Sequence, residues 1–362
     1  MNQTKTYTYD HHPIYFDFQQ TVERFFVEEI PLYPLSGFGN YLILKLKKTD
    51  MSTWKLIHVI SQATGLTERD IGYAGLKDKN ATAIQYISIP KQYEADLTTN
   101  LTTERVEILQ KSYHKTPIKI GHLKANRFSI VLEKVDAKDA KSFDSVAKMM
   151  EKNGIPNYFG YQRFGEDNHS YQQGKEIAHS GKKLKGAKEK LLVSAYQSHL
   201  FNSWLHSRIE ISKTIVTHSP HIAVKELGYP LALVKALKEQ PQFLKLFIGD
   251  LLQAYPNGKI TPLTDMQTAS LSFQEGKLSP TGLLCGANIQ RSLSDAYHLE
   301  IPFDDTELSS LKGDRRYAWI WPQEVSTTYT SATHKLIVNF TLPKGAYATT
   351  FLEEIGKMTL KR

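Results

Sequence analysis

The chain has 362 residues, enough for one large core or two domains, and its 41% hydrophobic and 11% aromatic content is ordinary for a globular protein. No apolar run approaches the roughly 18 residues of a membrane-spanning helix, the start Met1–Tyr7 lacks the apolar stretch of a secretory signal, and the lone Cys285 excludes a disulfide framework or a thiolate-only zinc site. Lys and Arg outnumber Asp and Glu by 45 to 37, a formal charge of +8, which favours polyanionic partners through phosphate neutralisation and, with the other features, points to the cytoplasm.

Residues 40–47 (NYLILKLK) read as a strand, apolar on both faces at first and then alternating. Ser52 stands where a helix N-cap belongs. Trp54, Ile57, Val59 and Ile60 follow at helical spacing, and Gly65 is the stop. Residues 84–89 (IQYISI) alternate up to Pro90, and residues 128–132 (FSIVL) form a further strand. Residues 136–152 look helical, with Val146, Met149 and Met150 on one side and Gly154 and Pro156 closing the helix.

After Gly165 the pattern changes. A long helical stretch runs from Gly186 to Ser212, then loop-rich sequence extends to about residue 310, the mark of an inserted domain. Residues 181–190 hold five lysines in ten, a solvated helix face that would contact phosphate if it faced RNA. Lys335 to Leu342 alternates as a strand, Pro343-Lys344-Gly345 turns the chain, and Tyr347 to Gly356 reads as a helix. If this late strand completes the N-terminal sheet, the first domain is discontinuous.

Several chemistries can be set aside. Gly37-Phe38-Gly39 leads into a strand rather than following one, so it does not make a dinucleotide fingerprint, and no Walker A sequence is present. Cys285 has no basic neighbour and reads as a core or loop thiol. The histidines make no His-Glu-x-x-His pair, and one cysteine cannot build a zinc deaminase site. His199 and His206 share a helix face, where packing or surface roles suit them best. What remains is Gly72-Tyr73-Ala74-Gly75-Leu76-Lys77-Asp78-Lys79-Asn80-Ala81, a small apolar strand end running into a loop with one acid between two lysines. Flanking cations favour the ionised carboxylate and attract phosphate, and such a carboxylate can act as nucleophile or base without a cofactor. As a local sequence, Lys-Asp-Lys also suits an ordinary exposed turn.

The wider sequence carries more. Gly75-x-Lys77-Asp78-Lys79-x-Ala81 with Gln85 resembles the catalytic motif of the tRNA pseudouridine synthase D (TruD) family. In the family's order, Phe25-x-Val27-Glu28-Glu29, Asn126-Arg127-Phe128, the block Pro156–Gly165 (PNYFGYQRFG), residues 194–202 (SAYQSHLFN), Gly249-Asp250 and Leu342-Pro343-x-Gly345-x-Tyr347-Ala348-Thr349 resemble its further motifs. The resemblance runs from about residue 14 to 356. It implies an α+β fold: a pseudouridine synthase catalytic domain of mixed, largely antiparallel sheet and helices, expected over 1–154 and 311–362. An inserted α/β domain is expected over 155–310, with a positively charged cleft for RNA between the two.

The implied reaction is isomerisation of uridine to pseudouridine in tRNA, at position 13, with Asp78 as the catalytic group and no metal or small-molecule cofactor. By matching positions, Asn126 and Phe128 would hydrogen-bond and stack on the target base. Phe25 and Tyr347 would complete the pocket wall. Lys77 and Lys79 would meet RNA, and Arg163 would contact phosphate or, by preference, brace the structure. Tyr158 and Phe159 are expected to pack. The chain is expected to act as a monomer on tRNA, away from membranes. Departures are visible: Ala83 stands where the family has Thr, Ala125 where it has Gly, and Gln19 where it has Lys. The last leaves Lys77, Lys79 and Arg24 as candidate cations for Asp78. Two other readings compete: an RNA-binding protein of this fold without catalysis, and an unrelated glycosyl-transferring enzyme, which would need a second carboxylate that this segment lacks.

Overall fold

A computed structural model describes residues 5–101, 103–165, 169–184 and 186–360, so Lys185 of the lysine-rich run lies outside the described residues. The chain divides into two compact units. One comprises Ile14–Ser145 and Pro322–Gly345; the other comprises Met1–Pro13, Val146–Trp321 and Ala346–Lys361. The division therefore falls at other points than the expected domain limits: residues 5–13 and the C-terminal helix pack with the middle of the chain.

The first unit is built on an eight-stranded sheet. Its early strands are β1 (Phe25–Pro31), β2 (Tyr41–Thr49), β3 (Gly72–Tyr73), β4 (Thr82–Pro90), β5 (Val106–His114) and β6 (Leu123–Leu132). The order across the sheet is Gln323–Thr330, Lys335–Pro343, β6, β1, β4, β2, β5, with β3 beside β4. Only β1 and β4 run parallel; the other pairings are antiparallel. The expected late strand does complete this sheet, its Phe340 lying opposite Phe128 of β6.

Strand alternation decides what is buried. Leu42, Leu44 and Leu46 of β2 point to one face with Ile87 and Ile89 of β4, and there they pack on Leu56, Ile57 and Ile60 of α1 (Thr53–Thr64). The helix begins and ends as its sequence predicts: Ser52 accepts the Lys55 N–H at 3.2 Å, and Gly65 takes the left-handed conformation (φ 75°). Its buried stripe is shifted from the expected one. Trp54 is 56% exposed and meets Tyr73 edge to face, whereas Leu56 is fully buried. Ser52→Ala is expected to cost about 1 kcal/mol, read as a lower urea midpoint of the purified chain.

The second unit carries the long helix Gly186–Thr217 and a four-stranded antiparallel sheet, ordered Asp314–Tyr317, Leu278–Leu284, Leu251–Ala254, Ile260–Pro262. Phe201, Trp204 and Leu205 of the helix pack with Phe159, Phe273 and Trp319 into its core. Tyr158 and Phe159 are buried, as the sequence predicts. No helix among the described residues is long and apolar enough to cross a membrane.

Candidate active site

Strand β4 positions the candidate site. Its neighbour on one edge changes halfway: β1 pairs with Thr82–Ile84 and β3 with Ile87–Ser88. The loop 74–81 that joins β3 to β4 is thereby held at both ends. Ala81 is fully buried and turns back onto the Lys79 carbonyl at 2.8 Å, while Asp78, Lys79 and Asn80 are exposed.

Three tethers fix the middle of this loop. The Lys77 N–H donates to Thr53 Oγ1 at 2.9 Å, and that hydroxyl donates to the fully buried Gln85 Oε1 at 3.1 Å. Lys48 Nζ donates to the Asp78 carbonyl at 2.9 Å and also to the Met51 carbonyl. Gln20 Nε2 donates to Asp78 Oδ2 at 3.1 Å. The carboxylate is thus exposed on a backbone that cannot readily shift, as a reacting group requires.

The two lysines of the motif have different fates. Lys77 turns inward and pairs with the buried Glu29, Nζ to Oε1 at 2.7 Å; the other Glu29 oxygen accepts the Tyr86 N–H at 2.9 Å. Lys79 points outward and lies 3.9 Å from Asp50, which also meets Arg105 at 3.1 Å. Arg24 is occupied by Glu133 at 2.8 Å. None of the three expected cations pairs with the Asp78 carboxylate. Gln20 and Lys48 occupy its surroundings instead. Burial lowers the Lys48 ammonium to about 8, the Asp78 charge acting in the opposite sense.

Lys48 carries a signal in the sequence. The alternation Leu42, Leu44, Leu46, continued one step, sets a lysine on the apolar face of β2, a costly placement that needs a reason. Gln20 carries none; it reads as a polar residue before a strand.

Across the same sheet, Asn126 of β6 lies opposite Glu29 of β1. Asn126 is nearly buried and its Oδ1 has no hydrogen-bond partner; Gln85 Nε2 likewise has none. Phe25 and Phe128 are buried too, edge to face at 5.9 Å, and Phe128 stacks on Phe340 at 5.4 Å. The sheet brings Asn126, Phe25 and Phe128 together with the elements that hold the Asp78 loop.

Tyr347 and Arg163 belong to the other unit. Tyr347 precedes the helix Ala348–Gly356 and meets the edge of Phe159 at 6.0 Å. Arg163 Nε donates to Ser198 Oγ at 3.0 Å and Nη2 to Ser194 Oγ, a bracing arrangement between the PNYFGYQRFG block and the long helix. His199 stacks on Tyr171 at 3.9 Å, and burial lowers it to about 4. Cys285 is buried and donates to the Phe303 carbonyl. Neither residue is placed for chemistry. No cluster of metal-ligating side chains occurs among the described residues.

A family model for tRNA pseudouridine synthase D (TruD) matches residues 2–180 and 168–355. The chain belongs to the TruD family. Curated relatives of that name include one from a Nitratiruptor species, 46% identical and covering 97% of this chain and 98% of its own length. Another, from Wolinella succinogenes, is 41% identical with 99% of each chain covered. A solved chain from Methanosarcina mazei shares the fold at a TM-score of 0.67, with 20% identity over 98% of this chain and 96% of its own. The α+β fold and the family resemblance carried by the motifs are both borne out.

Proposed function

We propose that the chain isomerises uridine to pseudouridine in tRNA, at position 13, with the Asp78 carboxylate starting the reaction. The observation that carries the reading is one exposed carboxylate, on a loop tethered by Lys48, Thr53 and Gln20, within a family-wide match over nearly the whole chain. The target uridine must leave its stack. The carboxylate then attacks C1′ or C6, or removes a proton to begin elimination. The N1–C1′ bond breaks, the uracil turns, and C5 joins C1′; the bond that the carboxylate formed breaks, or the proton that it removed is given back, so it leaves as it began. The C5 proton is lost and N1 gains one, so the product is an isomer and no redox partner is consumed.

Holding the detached base is as important as releasing it. The unpartnered Asn126 Oδ1 can accept the uracil N3–H, which is what an amide at this place in the sheet would be kept for. Phe25 and Phe128 form the apolar wall behind it. Exposed Lys79 is assigned to phosphate, whereas Lys77 and Arg163 act through the side chains they hold. The chain works as a monomer in the cytoplasm, where its tRNA substrate is, without metal or cofactor.

The test is direct. Purified chain is incubated with a tRNA transcript bearing U13, with EDTA present, and pseudouridine is mapped by carbodiimide modification and primer extension. Product at position 13 and none in a U13C transcript is the expected result. Absence of product under these conditions would overturn the activity, and product at another uridine would overturn the site.

A further inference from the structure

We propose that Lys48 is the positioning cation of this site: it holds the Asp78 carbonyl from beneath and places a positive charge under the loop that carries the carboxylate. The inference rests on the reading of Asp78 as the reacting group.

The argument begins with cost. Lys48 is fully buried, and among the described residues no carboxylate lies within ion-pair distance of its ammonium, which is satisfied by the Met51 and Asp78 carbonyls. An ammonium buried in this way is expensive unless a nearby negative charge offsets it. The charged groups that face it are Glu29 of β1 and Lys77 and Asp78 of the loop. Glu29 and Lys77 neutralise each other at 2.7 Å. Lys48 and Asp78 are left as the complementary pair. Asp50, two residues along, is half-buried and engaged by Arg105 and Lys79.

The strand register explains how the cation reaches the loop. Lys48 pairs with Ala83, just beyond the loop's return into β4, so its side chain passes along the buried face under Asp78. From there it spans two segments, the turn before α1 and the Asp78 loop. The site therefore holds its counter-cation below the carboxylate, leaving the exposed side of Asp78 open to RNA. This also answers the absence of a lysine at position 19, where Gln19 accepts a hydrogen bond from Arg24 instead.

The depressed basicity agrees with the geometry. With Lys48 lowered to about 8, its proton is retained at neutral pH and lost in mildly alkaline solution, and the support for the carboxylate is lost with it.

The experiment compares Lys48→Met, which keeps length and removes charge, with Lys48→Arg, using a tRNA transcript and Asp78→Asn as control. For Lys48→Met, kcat near pH 7 is expected to fall on the order of 100-fold, as when one preorganised donor is removed. Its tRNA affinity should hold, and the fall of kcat in mildly alkaline solution shown by the wild type should be absent from its profile. Lys48→Arg should recover most of the rate and carry it to higher pH, because a guanidinium keeps its proton there.

A folded Lys48→Met chain with wild-type rate overturns the proposal, as does a lowered rate whose profile keeps the wild-type alkaline fall, the signature of a strut alone. If that variant does not fold, the wild-type profile decides. An alkaline fall in kcat without a parallel fall in tRNA affinity supports Lys48, and a flat profile overturns it. Activity in Asp78→Asn would refute the reading of Asp78 itself, independently of the Lys48 variants.

Discussion

Asp78→Asn is expected to abolish pseudouridine formation, by on the order of 10⁴-fold or more, while leaving the fold and tRNA binding intact. The side chain is exposed, so the amide meets no new contact. Its oxygen can still accept the Gln20 amide, and the backbone bond to Lys48 does not depend on the side chain. What is lost is the anionic oxygen, the one group in the loop that can attack carbon or take a proton. Removing a negative charge beside the RNA path should, if anything, tighten tRNA binding slightly. Parallel measurement of single-turnover product and of tRNA affinity checks both halves. A variant that still converts U13 would remove Asp78 from the mechanism, and one that neither binds nor folds would make it structural.

Asp250→Ala is expected to destabilise the second unit by about 3–5 kcal/mol, because it leaves a buried guanidinium without its anion. Arg208 is 1% exposed and grips both Asp250 oxygens, at 2.8 and 2.9 Å, while its Nη2 also donates to the Lys245 carbonyl at 2.8 Å. Trp204 and Phe247 lie close to it, their ring centres at 5.3 and 5.0 Å. Asp250 further accepts the Phe247 N–H at 2.8 Å, so its loss frees a turn as well as a charge. The double variant Arg208→Met, Asp250→Leu should recover most of the loss, since an apolar pair of similar volume removes the stranded charge. Urea denaturation of the two variants measures this. A loss below about 1 kcal/mol for the single change would mean that the pair behaves as a solvated surface bridge.

These residues show how much could be read beforehand. The Gly249-Asp250 motif was recognisable only by resemblance. Its physical role depends on Arg208, about forty residues earlier on the long helix, and no local pattern announces that meeting. By contrast, Ser52 and Gly65 declared α1 from local chemistry, and the alternation of residues 335–342 declared the last strand. Strand order was closed to such reasoning, because the parallel β1–β4 pairing joins segments whose patterns are independent. Trp54 misled because spacing marks a helix but does not choose between neighbouring faces.

At the candidate site, the Asp78 loop stands out in the sequence, and the partners that the fold gives it do not. Charge adjacency in Lys77-Asp78-Lys79 suggested partners that the backbone then directed elsewhere, Lys77 inward to Glu29 and Lys79 outward toward Asp50. The cation under the loop came from the periodicity of β2, thirty positions earlier. A lysine set in the apolar phase of its strand was the better sign than a lysine next in line.

The strand Lys335–Pro343 lies between β6 and Gln323–Thr330, so one flank of β6 is covered by chain made long after β6 itself. While a ribosome is still extending the intervening segment, β6 presents a row of unpaired amides and carbonyls, with Phe128 and Ile130 on its apolar face. Such an edge is a template for pairing with another chain. The nascent protein therefore carries a risk of association from the making of β6 until this hairpin closes the flank from within the same molecule.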